Sequence, residues 1–177
     1  MEIRSLAEIE IFETSIRNAA DLAVRRLREL STGSSDGLGI LRALKFEPFG
    51  RHPLEPRDLN LIEQINQTWT YLVSFRALAF LLERHPEAGG FRLSLGTKSG
   101  TDIMSLVPYA VAAETFAATS PRSNRKLTKD VQKLLRDCPE ARARYVFFAA
   151  PGFKHERQRI LETASGIEVA IGISVTR

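Results

Sequence analysis

Apolar residues recur at steps of three and four along two long stretches of the chain, and then the period shortens. Ile9, Phe12, Ile16, Ala19, Ala23, Leu27 and Leu30 fall on one face of a helix over roughly residues 5–30. The Gly- and Ser-rich run STGSSDGLG at 31–39 reads as a loop, and EPFGRHPLEP is a second irregular segment. After Arg57, Leu59, Ile62, Ile65, Trp69, Leu72, Phe75, Ala79 and Leu82 repeat the helical spacing, and His85-Pro86 with Gly89-Gly90 stop it. That stripe, Trp69 included, reads as core.

Beyond Gly90 apolar and polar residues alternate. FRLSLGT and TDIMSLV flank the turn KSG, and AVAAETFAAT is apolar on both faces, which predicts three consecutive strands with the last one central. In SPRSNRKLTKDVQKLLRDC, Ser123 can cap a helix that turns Leu127, Val131, Leu134, Leu135 and Cys138 inward. ARYVFFAAP reads as a buried strand, KHERQRILETA as a short helix and IEVAIGISV as a last strand. The order ααβββαβαβ predicts an α/β fold, a mixed central sheet flanked by helices.

Composition narrows the class. The chain has 177 residues, 44% of them hydrophobic and 26% charged, which fits one globular domain and not a disordered chain. No stretch approaches the ~20 apolar residues of a membrane helix, and the acidic start MEIRSLAEIE lacks the pattern of a signal peptide, so a cytoplasmic protein without membrane contact is expected. Cys138 is the only cysteine, which excludes an intrachain disulfide and a Cys-rich metal site. A net charge of +4 favours anionic partners. Its clusters differ in meaning: Arg25, Arg26 and Arg28 read as a solvated helix face, whereas Arg122, Arg125, Lys126, Lys129 and Lys133 gather around a helix start.

Glu114 is out of place in its apolar strand, because carboxylates are rarely buried without a partner. Asp102 opens the preceding strand, so pairing of the two strands can bring both acids to one edge of the sheet. Converging carboxylates repel unless a cation lies between them, and hard oxygen ligands suit Mg²⁺. The basic residues that follow stand where the helix macrodipole is already positive, an arrangement that an anion would relieve. Phosphate is the natural anion at a helix start, which makes Arg122, Asn124, Arg125 and Lys129 candidates for phosphate contact.

The order α-β-β-β-α-β, with GTD at the second strand and AETFA in the third, resembles the restriction-endonuclease-like fold of the PD-(D/E)xK nuclease superfamily over residues 58–150. Residues 1–57 then form an N-terminal helix with loops, and 151–177 a C-terminal helix and strand, all within a single domain. The block AETFAATSPRSNRKLTKDVQKL is similar to a bacterial branch of that superfamily in which the lysine has migrated or been lost. The resemblance implies that Asp102 and Glu114 hold a divalent metal, Mg²⁺ or Mn²⁺. Thr101 stands where the motif has proline, and Phe116 where it has the lysine that assists water. Lys126, in the next helix, is the expected substitute, held by Asp130 through an i to i+4 pair, with Lys98 as a weaker candidate. Glu63 is a further candidate for the metal shell, ahead of Glu83. His52, His85 and His155 show no metal-ligand spacing.

The activity implied is metal-dependent endonucleolytic hydrolysis of phosphodiesters. The implied partners are nucleic acid, DNA ahead of RNA, and a second copy of the chain. Two alternatives stand beside it: a protein with this core that binds nucleic acid without cleaving it, and a structural or regulatory subunit that binds a protein partner.

Overall fold

A computed structural model describes residues 1–31, 36–95, 100–119, 125–150, 156–157 and 167–171. In chain order the elements are β1 (Glu2–Ile3), α1 (Leu6–Ser31), α2 (Gly37–Phe46), β2 (Gly50–Arg51), β3 (Asp58–Leu59) and α3 (Leu61–Arg84). A short 3-10 turn at Pro86–Ala88 leads to β4 (Phe91–Leu93), β5 (Ile103–Ser105), β6 (Val111–Ala117), α4 (Lys126–Asp137), β7 (Ala143–Ala149), β8 (Glu156–Arg157) and β9 (Glu168–Ile171). The chain divides into two compact units, Glu10–Leu72 and the combination of Met1–Ile9 with Val73–Arg177.

The second of these units carries an α/β architecture whose described residues form a mixed seven-stranded sheet in the order β1-β4-β5-β6-β7-β9-β8. β4, β5 and β6 form an antiparallel meander, whereas β6, β7 and β9 run parallel. The central strands are covered on both faces, which is why their sequences are apolar without alternation. On one face α4 brings Leu127, Val131 and Leu134 against Ala112, Phe116, Val146 and Phe148. Phe116 and Phe148 stack there with ring centroids 5.1 Å apart. On the other face Phe80, from the last turns of α3, meets Tyr145 and Phe147 edge-on, and Ser74 shares a 2.8 Å hydrogen bond with Thr115.

In the unit Glu10–Leu72, β2 and β3 form a small hairpin, Gly50 opposite Leu59. His52 is buried there. Its Nδ1 accepts from the amides of Leu54 and Glu55, so in the neutral ring Nε2 donates to Tyr71 Oη at 2.9 Å. Burial lowers the His52 pKa accordingly.

Several sequence expectations change. The loop expected over 31–39 is cut short at Asp36, whose Oδ1 accepts from Gly39 N at 2.8 Å and caps α2. The Gly-Ser run masked that capping signal. Ile62, Ile65 and Trp69, expected in the core, are exposed. Leu72 and Phe75 of the expected stripe are buried, and burial in α3 extends to Tyr71, Val73, Ser74, Ala77, Leu78 and Leu81; the run of five buried residues at 71–75 has no apolar period to read. Leu135, expected to face inward, is exposed as well. Glu156 and Arg157 pair with β9 as a strand where KHERQRILETA suggested a helix; strand pairing overrides local propensity here, and the rest of that segment lies outside the described residues. Among the described residues, no helix is long and apolar enough to cross a membrane.

Candidate functional site

Strand register brings Asp102 and Glu114 together. β5 and β6 pair with Ile103 opposite Ala113 and Met104 opposite Ala112, so continuing the ladder by one residue sets Asp102 against Glu114. The Asp102 amide donates to Glu114 Oε1 at 3.3 Å. Its own carboxylate lies along the β6 edge, where Oδ2 accepts from Thr115 N at 2.9 Å and from Thr115 Oγ1 at 3.3 Å. Asp102 thus substitutes for the strand partner that β5 no longer supplies.

A lysine from α4 meets Glu114. Lys133, two turns into α4, places Nζ 2.9 Å from both carboxylate oxygens of Glu114. Nζ also donates to Gly100 O at 2.6 Å. Gly100 has φ +123, a conformation that an L side chain would strain, so glycine allows the chain to aim that carbonyl at the ammonium group. Thr101, in the place of the motif's proline, is 3.2 Å from Cys138 Sγ and ties the start of this edge to the end of α4.

Lys126 behaves differently from the expectation that it serves Glu114. Its Nζ pairs with Asp130 Oδ1 at 2.6 Å and stands 5.7 Å over the ring of Phe116, the residue in the motif lysine's place. Lys126 and Lys133 are seven residues apart, ~10 Å along the helix axis, which separates their partners. Asp130 is 2% exposed, and its Oδ2 is buried without a hydrogen bond among the described residues.

Burial, and after it the charge of Asp102, pushes the Glu114 carboxyl up to about 7, while Lys133 pulls the other way and Asp130 adds to the rise. Burial also raises Asp130, against the hydrogen bond and charge of Lys126. For Lys133 burial opposes the charge, but the hydrogen bond and charge of Glu114 together with Asp102 and Asp130 outweigh it, and its pKa is raised. The cluster is therefore one electrostatic unit of three carboxylates and two ammonium groups.

Other candidates serve local structure. Glu63 belongs to a reciprocal capping box at the start of α3: its Oε2 accepts from Asn60 N at 3.3 Å, and Asn60 Oδ1 accepts from Glu63 N at 2.9 Å. Arg125 precedes α4 in the left-handed conformation without a side-chain cap, and both Arg125 and Lys129 are exposed. Lys98, Arg122, Ser123 and Asn124 lie outside the described residues. Among the described residues, no group of three or more His, Cys, Asp or Glu side chains is arranged to hold a metal ion.

The i to i+4 pair of Lys126 with Asp130 is the one the sequence suggested, whereas the role of Lys133 is the one sequence reasoning missed. Its signal was in the spacing: 126, 130 and 133 recur at i, i+4 and i+7, a polar stripe alongside the apolar stripe Leu127, Val131 and Leu134. No family model matches the chain, and no curated protein and no solved structure matches it.

Proposed function

We propose that this chain is a metal-dependent nuclease that hydrolyses nucleic-acid phosphodiesters on a core of the PD-(D/E)xK kind. The observation that carries the proposal is the meeting of Asp102 and Glu114 at one strand edge with Lys133 brought against Glu114 from the following helix. The order of α3, β4, β5, β6, α4 and β7 agrees with that core.

The donors of Asp102 and Glu114 are carboxylate oxygens brought to one strand edge, which suit a hard divalent ion such as Mg²⁺ or Mn²⁺. Asp102 and Glu114 would hold it. When bound, such an ion supplies Lewis acidity, lowering the pKa of water and drawing charge from a phosphoryl oxygen. Lys133 takes the role that the sequence assigned to Lys126: its ammonium group, adjacent to Glu114, stabilises the negative charge that develops at phosphorus, where Phe116 cannot. Lys126, half-exposed and steadied by Asp130, joins Arg125 and Lys129 as phosphate contacts that orient the strand.

A second reading has its own support. Both oxygens of Glu114 already meet Lys133, and Asp102 Oδ2 already accepts from Thr115, so the acids are satisfied by the protein itself. In that reading the core binds nucleic acid and does not cut it.

Incubating the full chain with single- and double-stranded DNA and RNA in Mn²⁺ or Mg²⁺ decides between them. The expected result is cleavage that chelator abolishes and that Glu114→Gln lacks. Binding without cleavage selects the second reading, and the absence of both contradicts each.

A further inference from the structure

The connection of the small hairpin is held by a side chain. Residues 52–57, His-Pro-Leu-Glu-Pro-Arg, join β2 to β3, and the prolines leave backbone amides only at His52, Leu54, Glu55 and Arg57. The His52 amide donates to Arg57 O at 2.8 Å, and the Arg57 amide donates to Glu55 O at 2.9 Å. The amides of Leu54 and Glu55 both donate to His52 Nδ1, at 3.2 and 2.9 Å. Half of the segment's amide bonds therefore depend on one ring nitrogen keeping its lone pair.

A proton on that nitrogen reverses its role. Nδ1 becomes a donor facing two donors, so both bonds are lost together. The ring is only 4% exposed, and its other nitrogen is engaged by Tyr71 Oη at 2.9 Å. Tyr71 also packs edge-on against it, with ring centroids 5.5 Å apart.

The charged groups around the ring come from the same segment. Glu55 Oε2 lies 3.7 Å from Nε2 and favours the charged ring, but it is bonded at 2.9 Å to Arg57 Nε, whose charge acts the other way. From α3 come Gln67, which favours the charged ring, and the Tyr71 phenol, kept protonated by burial. Burial of the imidazole outweighs Glu55 and Gln67, so the ring is neutral at pH 7 and takes its proton in more acidic solution.

We propose that His52 is a proton-operated latch: its neutral ring holds residues 53–56 to the hairpin, and uptake of one proton at Nδ1 breaks two N–H···N bonds and releases them. The strands stay paired, because the Gly50–Leu59 register and the 2.7 Å bond from Phe49 N to Leu59 O do not involve the ring. The latch is independent of the proposed function.

Nuclear magnetic resonance of the ¹⁵N-labelled full chain between about pH 7.5 and pH 4.5 tests it, with the His52 ring nitrogens and the amide exchange of Leu54, Glu55 and Phe49 followed together. The expected result is a neutral ring with its proton on Nε2 at the upper pH, titrating below the 6.5 ordinary for histidine. Over the same step the protection of the Leu54 and Glu55 amides, corrected for intrinsic exchange, should fall at least about tenfold while that of Phe49 holds. His52→Asn supplies an oxygen that can accept from amides two and three residues on but does not titrate, and is expected to abolish the step. Protection of Leu54 and Glu55 that is unchanged through the His52 titration overturns the proposal. So does protection lost together with that of Phe49, which would mean that the whole hairpin opens, or a step that persists in His52→Asn. Should His52→Asn fail to fold, the wild-type titration decides by itself.

Discussion

Lys133→Met is expected to destabilise the protein by about 3–5 kcal/mol at pH 8, the usual cost of stripping the partner from a buried charge. Glu114 is 1% exposed, so after the substitution its carboxylate has neither water nor an ammonium group to answer it. The cost should shrink at pH 5, where Glu114 can take up a proton and become neutral. Adding Glu114→Gln to Lys133→Met should recover most of the loss, since the double variant contains no stranded charge; a coupling of about 0.5–3 kcal/mol is the range for side chains in contact. Urea melts of the four proteins at both pH values measure this. Under the proposed function the Lys133→Met protein should also lose cleavage by ~10²–10³-fold, more than one lost phosphate contact explains. Equal stability of the single and double variants at pH 8 would show that the pair contributes nothing.

The contribution of Glu114 to wild-type stability should fall as pH rises from about 4.5 to about 7 and then level off, because its pKa is pushed up to about 7 from the ordinary 4.5, while His52, whose pKa burial lowers, contributes the opposite slope in the same range. Between those values the folded protein binds a proton that the unfolded chain does not, so stability declines with rising pH across that window. Asp130, also raised, acts with the same sign, while Lys133, raised as well, loses its contribution only in strongly alkaline solution. A tenfold difference in proton affinity between the folded and unfolded chain is worth about 1.4 kcal/mol, which puts the Glu114 effect on the order of 3 kcal/mol. Glu114→Gln should remove that slope, and at pH 8 it should melt higher than the wild type. A Glu114→Gln protein with the same slope as wild type would place the titration elsewhere.

The parts of this site that the sequence revealed are those whose cause is local. Glu114 stood out because a carboxylate inside an apolar strand demands a partner, and Asp102 because the meander has only one register that keeps Ile103 and Ala113 on a shared ladder. The identity of the partner was harder, since it comes from a helix 19 residues later. Lys126 looked suitable by position at the helix start. Lys133 is the group that reaches, because two turns of helix set it level with the strand edge. Glu63 looked like a free acid on a helix surface, yet its spacing from Asn60 is that of a capping box. The sheet's outer strand β1 was unreadable for another reason: two residues carry no period, and their strand exists through pairing with β4. The helix α3 misled in the opposite direction, since apolar residues at perfect helical spacing, Ile62, Ile65 and Trp69, are exposed.

Crystals of the full chain soaked in Mn²⁺ and examined by anomalous scattering test the central claim most directly. The account predicts one peak ~2.1 Å from carboxylate oxygens of both Asp102 and Glu114, with the ammonium group of Lys133 moved off Glu114 to admit the ion. Crystals without a peak at these residues, in which Lys133 still spans both oxygens of Glu114, would contradict it.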